Sequence, residues 1–336
     1  MKLKNISFIL LAFFSAEVFA DVSYTKLAKI KLVEPSEIEK NEEVQSNMMD
    51  MIEDGKFKDI SNKAQTLLKS EEYDIDGKFK HTSYLDNFIG IVNRHRVVSS
   101  NYYSDNIKKA QEWIRAEPES PLGYIYYAFW VRQQAWSVRG KSYASDVSQN
   151  NMQFFADESI KNLNFLLENY DTASKDPFYY YILLMILRDI GLEDDYFKAY
   201  QDGVIKYPKQ RMIYNTFMSN FVPKWFGQNY DAVRMIIDNI QELNPKEKDF
   251  YYYHIMYTTN KNKYDLNKLK VDWNRVEQGA VDSLSKLASL EKIEHIRMLY
   301  CSYPGNKKRL EKLFNSFKAN QLDENYIKNS LNSCQD

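Results

Sequence analysis

The sequence predicts an all-α protein built from repeated helical pairs, and three observations lead to this prediction. Glycine and proline number only 10 and 8 among 336 residues, too few for the turns of a long β-sandwich. Apolar side chains recur at helical spacing, and no stretch shows the sustained period-two alternation expected of strands. The prolines that separate the helical stretches also return at similar intervals.

Residues 1–20 have the pattern of a secretory signal peptide. Two lysines precede an apolar core at residues 6–14, which is too short to span a bilayer as a stable helix. Val18 and Ala20 are the small residues that signal peptidase recognises, so the mature chain is expected to begin at Asp21. No later stretch predicts a membrane span. We therefore expect a protein that is periplasmic in a Gram-negative bacterium or secreted.

The charge of the chain argues against two classes of partner. Of the 45 basic and 46 acidic residues, two lysines and one glutamate lie in the signal segment, so the mature chain carries a net charge of −2. A nucleic-acid-binding protein would show a basic excess, and so would a protein that binds anionic membrane surfaces. Neither nucleic acid nor a membrane surface is expected as a partner.

Several amphipathic helices can be recognised from apolar residues at intervals of three, four and seven, which place one apolar stripe on each helix. The clearest stripes are Ile160, Leu163 and Leu167; Val233, Ile236, Ile237 and Ile240; and Leu310, Leu313, Phe314 and Phe317.

Prolines follow one amphipathic stretch and precede the next at Pro118, Pro177, Pro208 and Pro245. The last three are separated by two intervals of similar length, and a glycine, Gly191 or Gly227, lies near the middle of each. A proline ends one helix and is tolerated in the first turn of the next. The tetratricopeptide repeat has this pattern: a helix, a glycine turn, a second helix and a proline, which recur about every 34 residues. The sequence therefore predicts a TPR-like α-solenoid of stacked helical hairpins.

The predicted organisation has three parts after the signal peptide. Residues 21–80 are a lead-in and a helical pair, 81–300 the repeat domain, and 301–336 a C-terminal helical cap. The interval between Pro118 and Pro177 is longer than one repeat, so an insertion is expected around Arg139 to Asn151.

The stretch from Trp113 to Ile237 resembles a family of uncharacterised bacterial proteins with tetratricopeptide-like repeats. It covers a little over a third of the chain, and it departs from the family at Phe226, where a small residue is usual. The resemblance implies the repeat fold and no particular activity. The matching residues are Trp113, the run Glu117-Pro118-Glu119-Ser120-Pro121, Ala135-Trp136, Arg139-Gly140, Tyr143-Ala144, and Phe221-Val222-Pro223-Lys224-Trp225 with Gly227.

Four residues from these motifs are the candidate binding residues: Trp136, Arg139, Lys224 and Trp225. Trp136 and Arg139 are three residues apart and share one face of a helix. One interpretation is that the tryptophans are core spacers between helix layers, with Arg139 bonded to carbonyl groups. The other is an aromatic and cationic pocket for a peptide, because tryptophan and arginine dominate binding hot spots.

The two cysteines, Cys301 and Cys334, are expected to form a disulfide in an oxidising compartment. The bond would close the loop between them and hold the final helix against the one two before it. Unpaired, partly buried thiols are the alternative.

No catalytic, phosphate-binding or dinucleotide-binding motif occurs, so neither enzymatic activity nor a cofactor is expected. Glu291 and His295 are four residues apart and could seat a metal, but an ion pair explains the spacing as well, and no metal site is predicted. The leading hypothesis is a periplasmic scaffold that binds a protein or peptide. The alternatives are an immunity-type inhibitor of an exported toxin and a cell-envelope polysaccharide-processing enzyme.

Overall fold

A computed structural model describes residues 24, 27, 30, 32, 48–73, 78–86, 101–222, 225–286, 288–303, 305–317 and 322–334. This part of the chain is helical and contains no β-strand, only isolated bridges between Leu32 and Ala288 and between Tyr73 and Phe79. The all-α prediction is confirmed. The predicted signal peptide lies outside the described residues.

Fourteen helices are labelled here in chain order, and shorter helical stretches lie at 48–53 and 80–86. The labelled helices are α1 (Phe57–Ser70), α2 (Tyr102–Ala116), α3 (Pro121–Arg139), α4 (Gln149–Glu168), α5 (Tyr170–Ala173), α6 (Phe178–Ile190), α7 (Glu193–Lys206), α8 (Arg211–Ser219), α9 (Tyr230–Leu243), α10 (Lys248–Lys261), α11 (Trp273–Lys286), α12 (Leu290–Cys301), α13 (Lys307–Phe314) and α14 (Glu324–Asn332).

Several helices begin or end at residues that favour helix capping. Ser120 accepts a hydrogen bond from the Leu122 amide, and Pro121 occupies the first turn of α3. At the other ends of α3 and α6, Gly140 and Gly191 have φ of 78° and 75°, a region that L side chains rarely adopt. The predicted glycine turn after α6 is therefore confirmed.

One backbone turn is repeated three times, at Glu117, Tyr207 and Asn244. Each residue precedes a proline, and the φ and ψ angles are −138° and 70°, −132° and 64°, and −129° and 54°. Proline excludes the helical conformation from the residue before it, so each of these residues ends its helix. Each carbonyl then accepts a hydrogen bond from the amide three residues later, at 3.0 to 3.1 Å.

In two of these turns, a tyrosine six residues after the proline donates a hydrogen bond to the carbonyl of that proline. The Tyr124 hydroxyl donates to the Pro118 carbonyl at 3.0 Å, and the Tyr214 hydroxyl donates to the Pro208 carbonyl at 2.9 Å. One local structure therefore recurs at Pro118, Pro208 and Pro245, three of the prolines singled out in the sequence.

The helices from α3 to α12, apart from the short α5, pack in two rows. The first row consists of α3, α6, α8, α10 and α12, each of which contacts the next member. Between members the chain passes through a helix of the second row, formed by α4, α7, α9 and α11, and each of these packs on a first-row neighbour. The first row therefore presents a surface made from successive helices.

The predicted apolar stripes are buried in two of three cases. Val233, Ile236 and Ile240 are buried and Ile237 is half-buried, while Leu310, Leu313, Phe314 and Phe317 are all buried. The stripe on α4 was wrong in two of its members, because Ile160 and Leu167 are 49% and 51% exposed. This helix instead buries Phe155, Ser159, Asn162 and Leu166, and the Asn162 amide donates to the Ala128 carbonyl at 2.8 Å.

The extra residues between Pro118 and Pro177 are spread over more than the predicted insertion. Helices α3 and α4 are 19 and 20 residues long, and the loop between them carries a short 3-10 turn, Ala144–Asp146. The longer interval therefore arises from longer helices as well as from a loop.

Cys301 and Cys334 lie at disulfide distance, with their Cα atoms 4.5 Å apart, as predicted. Cys301 is the last residue of α12 and Cys334 follows α14, while α13 contacts both helices. The bond therefore holds the final helix against the one two before it. Among the described residues, no helix combines the length and apolar character required to span a membrane.

Candidate functional site

Three of the four predicted binding residues come together in the structure. Trp136, near the end of α3, and Trp225, after α8, meet edge to face with ring centroids 5.9 Å apart. The Arg139 guanidinium lies 4.9 Å from the centroid of the Trp136 ring. Lys224 lies outside the described residues. With their charged neighbours these side chains form what we call the tryptophan–arginine cluster: Arg132, Trp136, Arg139, Arg188, Asp189 and Trp225.

The carboxylate of Asp189 lies at the centre of this cluster and is fully buried. Its Oδ2 accepts a hydrogen bond from the Trp136 indole at 2.7 Å and lies 2.7 Å from Nε of Arg132. Its Oδ1 accepts from Nε and Nη2 of Arg188, at 3.0 and 2.6 Å. Burial lowers the pKa of Arg132 and Asp189 opposes that shift. One carboxylate thus holds two poorly hydrated cations and an indole in fixed positions.

Arg188 connects this arrangement to the end of α8. Its guanidinium lies 4.0 Å from the centroid of the Trp225 ring, within the range of a cation–π interaction. Its Nη1 donates to Oδ1 of Asn220 at 2.9 Å. The position of Trp225 is therefore fixed by a cation that belongs to another helix of the first row.

Arg139 holds the first residues of the loop that follows α3 by hydrogen bonds to their carbonyl groups. Its Nη1 donates to the carbonyls of Gly140 and Ser142, at 3.0 and 3.1 Å. On α4, Phe155 packs against the Trp136 ring in an edge contact with centroids 5.0 Å apart. The cluster therefore joins α3, α4, α6 and the turn after α8.

Both tryptophans are half-buried, so the cluster also presents an aromatic face. This face borders a depression of about 570 Å³, with the side chain of Tyr143 79% exposed at its edge. The two tryptophan rings thus pack inside the cluster and are also partly exposed at the surface. Binding at this face stays a prediction.

Arg132, Arg188 and Asp189 were not among the predicted site residues. One signal for them was present in the sequence. Arg188 and Asp189 directly follow the longest apolar run, residues 178–187, and charges at the end of a buried helix require partners. Arg132 gives no such signal, because it sits among aromatic residues whose burial the sequence does not reveal.

A second depression, of about 310 Å³, lies along the first row beside the helical stretch at 80–86. Its apolar surface comes from aromatic and methionine side chains. Its main lining residues are Tyr73, Phe79, Tyr181, Met185, Met212 and Phe250, with the cations Lys78, Arg188, Lys209 and Arg211 and the carboxylate Asp86.

A third depression, of about 420 Å³, continues over α8, α10 and α12 and is more polar. It contains the buried Lys292 and His254, and also Lys261, His295 and Glu291. Burial, followed by the positive charges of Arg211 and Lys292, holds the pKa of His254 well below its ordinary value of 6.5. Nε2 of His254 lies 3.4 Å from the Ser283 hydroxyl. This histidine is neutral and acts as a hydrogen-bonding group.

The three depressions are neighbours that share lining residues. Arg188 borders both the tryptophan–arginine cluster and the second depression. Lys78, Arg211, Asn215 and Ser219 border both the second and the third. The second and third depressions form one surface across α6, α8, α10 and α12, which we call the first-row groove.

Nε2 of His295 lies 3.8 Å from a carboxylate oxygen of Glu291, at the position that their spacing suggested. In the part of the chain that the structure describes, no group of three or more potential metal ligands occurs.

Comparison with known proteins gives no relative: no family model, no curated protein and no solved structure matches this chain. The resemblance to tetratricopeptide-like proteins therefore rests on the residues named above.

Proposed function

We propose that this chain is an exported TPR-like α-solenoid of stacked helical hairpins, and that it acts as a protein-binding scaffold in the bacterial periplasm. The observation that carries the proposal is the first-row groove. A row of helices that each contribute to one extended concave surface is the arrangement by which helical repeats bind extended peptides.

Two features support the solenoid. The turns at Glu117, Tyr207 and Asn244 share one backbone conformation, which is expected when one structural unit is repeated. The first-row helices also contact one another in chain order, as they do when each repeat packs only on its neighbours.

The composition of the groove supports binding of a protein segment. Aromatic and methionine side chains provide apolar area, and Met185 and Met212 can adapt to different partner side chains. Polar side chains such as Asn215 and Thr216 line the same depression, within reach of a backbone laid across it. An apolar surface with a few convergent polar groups is typical of a binding site.

Export is supported by the signal-peptide pattern of residues 1–20 and by the cysteine pair at disulfide distance, since disulfides persist in oxidising compartments.

The proposal can be tested by selecting peptides from a random library on the immobilised mature protein. Selected peptides are then photo-crosslinked to variants with benzoylphenylalanine in place of Asn215 in the groove or of Lys198, an exposed residue on α7. We expect crosslinking at 215 and not at 198. We also expect Met212→Glu to weaken binding by about tenfold, because it buries a charge against the peptide. Enrichment of no peptide, or equal crosslinking at both positions, would refute the groove as the binding site.

A further inference from the structure

A segment of the chain that precedes both rows lies across the beginnings of three first-row helices. It consists of residues 71–73 and 78–86, which we call the strap. Its side chains also line the second depression, so the strap borders the first-row groove. Three polar contacts join it to residues just before α6, α8 and α10: His81 with Asp176 at 2.8 Å, Thr82 with Gln210 at 3.3 Å, and Tyr73 with Glu247 at 3.3 Å.

The last of these contacts belongs to a site that receives an aromatic ring. The Tyr73 ring meets Phe250 edge to face with centroids 5.7 Å apart, and it stacks on Phe79 at 4.7 Å. Nζ of Lys286 lies 4.0 Å from the centroid of the Tyr73 ring, within the range of a cation–π interaction. The Lys286 ammonium also pairs with Glu247, which accepts the Tyr73 hydroxyl. We call Phe79, Phe250, Lys286 and Glu247 the tyrosine seat, because they match both the apolar ring and the polar hydroxyl of a tyrosine.

The two parts of the strap are held to different degrees. His81 and Leu85 are fully buried, so releasing them would expose a large buried area. Tyr73 is only half-buried, and its neighbour Glu71 pairs with Lys209 at the exposed surface, where ion pairs contribute little. The Tyr73 side chain can therefore leave its seat while the later part of the strap stays in place.

The tyrosine seat is continuous with the first-row groove. Tyr73, Phe79 and Phe250 line the second depression together with Met212 of α8. When the Tyr73 ring leaves, this depression extends to the Lys286 ammonium. A segment that lies in the groove can then place an aromatic ring where the ring of Tyr73 lies.

We propose that Tyr73 is an autoinhibitory residue, which occupies a position of the first-row groove that a tyrosine of the partner segment takes when it binds. This inference rests on the proposed function and adds to it the side chain that the partner presents. Because the partner must displace Tyr73, its apparent affinity is reduced by the fraction of molecules in which the seat is open.

The seat is tested with N-acetyltyrosinamide, whose binding to the mature protein is measured by saturation-transfer NMR. Tyr73→Ala empties the seat, and we expect this variant to bind the probe at least about tenfold more tightly than the wild type. Tyr73→Phe keeps a ring in the seat and should exclude the probe as the wild type does. Tyr143→Ala is the matched control, because Tyr143 is exposed and lies outside the strap. N-acetylserinamide should bind none of these proteins.

Two further substitutions, each combined with Tyr73→Ala, locate the probe. Lys286→Gln removes the cation over the ring and should weaken binding by at least about threefold. Lys198→Gln, at an exposed position of α7, should leave binding unchanged. Equal binding of the probe by the wild type and Tyr73→Ala, or no effect of Lys286→Gln, would overturn the seat as a binding position.

Displacement is measured in the protein that keeps its tyrosine, so this readout holds even where Tyr73→Ala lowers stability. With 3-fluorotyrosine at position 73, a library peptide that binds the groove should move the fluorine resonance to that of the same label at the exposed position 143. We also expect tyrosine to be enriched among the library peptides, and their affinity to rise at least about threefold in Tyr73→Ala.

The outcomes separate the two proposals. Library peptides that crosslink at position 215, leave the fluorine resonance unmoved and bind the wild type and Tyr73→Ala equally would overturn the autoinhibition and leave the scaffold function standing. Enrichment of no peptide would overturn both, because no partner segment then takes the place of Tyr73.

Discussion

Asp189 neutralises part of a buried positive charge, and the tryptophan–arginine cluster depends on it. Arg132 and Arg188 both pair with its carboxylate, and the Trp136 indole donates to it. When one partner of a buried ion pair is removed, the remaining charge is left desolvated. Trp136 therefore occupies its position because an acidic residue of another helix accepts its indole N–H, and Trp225 packs on Arg188, which the same carboxylate holds.

We expect Asp189→Asn to lower the free energy of unfolding by about 3 kcal/mol, because Arg132 and Arg188 would then lie next to a neutral group. Urea denaturation followed by circular dichroism measures the change. Asp195→Asn is the control, since Asp195 is exposed and pairs with Lys198 at the surface, where the loss should stay below about 1 kcal/mol. Equal losses in the two variants would contradict the central role of Asp189.

The buried His254 makes the free energy of unfolding depend on pH, and the direction of this dependence follows from its lowered pKa. Burial and the nearby cations Arg211 and Lys292 keep its pKa well below 6.5 in the folded protein. The unfolded chain takes up a proton near pH 6.5, while the folded chain does not. The stabilisation is therefore complete above pH 6.5 and is lost as the pH falls below that value.

Between about pH 7.5 and pH 5.5, the wild-type protein should lose about 1 kcal/mol more stability than His254→Gln, in which this proton uptake is absent. Urea denaturation at the two pH values provides the comparison. Identical pH dependence in both proteins would mean that His254 takes up its proton at the same pH in the folded and unfolded states, against the present interpretation.

Single residues differed in how far the sequence could place them. Trp136, Arg139 and Trp225 stood out by type and spacing, and the structure brings them together. Asp189 and Arg132 could not be placed, because their pairing joins distant positions of the chain on helices whose relative orientation only the folded protein defines. The first-row groove could not be predicted from the sequence either, because side chains of four helices line it.

At the scale of helices, the contact between α10 and α11 is set by Gly279. A Cβ atom at this position would lie 1.9 Å from the carbonyl oxygen of Asp249 and 2.7 Å from Cβ of Tyr253. The absence of a side chain therefore allows the backbones of the two helices to touch. This close approach holds α10 in place, and α10 carries part of the first-row groove.

We expect Gly279→Ala to lower the free energy of unfolding by about 3 kcal/mol, because the added methyl group must push the two helices apart. Thermal and urea unfolding measure the effect. Ser285→Ala, at an exposed position of the same helix, is the control and should change stability by less than about 0.5 kcal/mol. A stable Gly279→Ala variant would show that the helices can separate freely.

The last three helices depend on the bond between Cys301 and Cys334. The two residues are separated by 33 positions in the sequence, and closing a loop of this size stabilises by roughly 3–4 kcal/mol in the chain-entropy model. We expect reduction to increase hydrogen exchange first in α13 and α14, because the helices upstream retain packing partners on both sides. Cys334→Ser should reproduce this pattern without reductant. A uniform increase along the chain would contradict a local role for the bond.

The helices themselves were largely predictable, because capping residues and prolines act locally. Gly140, Gly191 and Pro208 lie at helix boundaries, as their types require. The apolar stripe of α4 was misassigned because the side of α4 that meets α3 includes a polar residue, Asn162, whose amide donates a hydrogen bond to the backbone carbonyl of Ala128. The spacing of apolar residues assigns Ile160 to the core, because spacing does not show which face of the helix packs against a neighbouring helix.

For the whole molecule, export and oxidation should be coupled. If residues 1–20 direct secretion, the chain recovered from the periplasm of a Gram-negative host begins at Asp21 and contains the disulfide. Leu11→Arg places a charge in the apolar core of the signal and should leave the protein in the cytosol, uncleaved and reduced, while Lys4→Arg should be exported normally. Intact mass under non-reducing conditions measures both properties. An oxidised protein that retains residue 1 would contradict the coupling.

The three matching turns at Glu117, Tyr207 and Asn244 have a consequence for the history of such a chain. The segment between the second and third begins and ends with the same backbone geometry, so the chain enters and leaves this unit in the same local conformation. Duplication or loss of one unit would rejoin the backbone at an equivalent turn, and the neighbours would keep their packing. In such an arrangement the length of the first-row groove changes in steps of one helical pair.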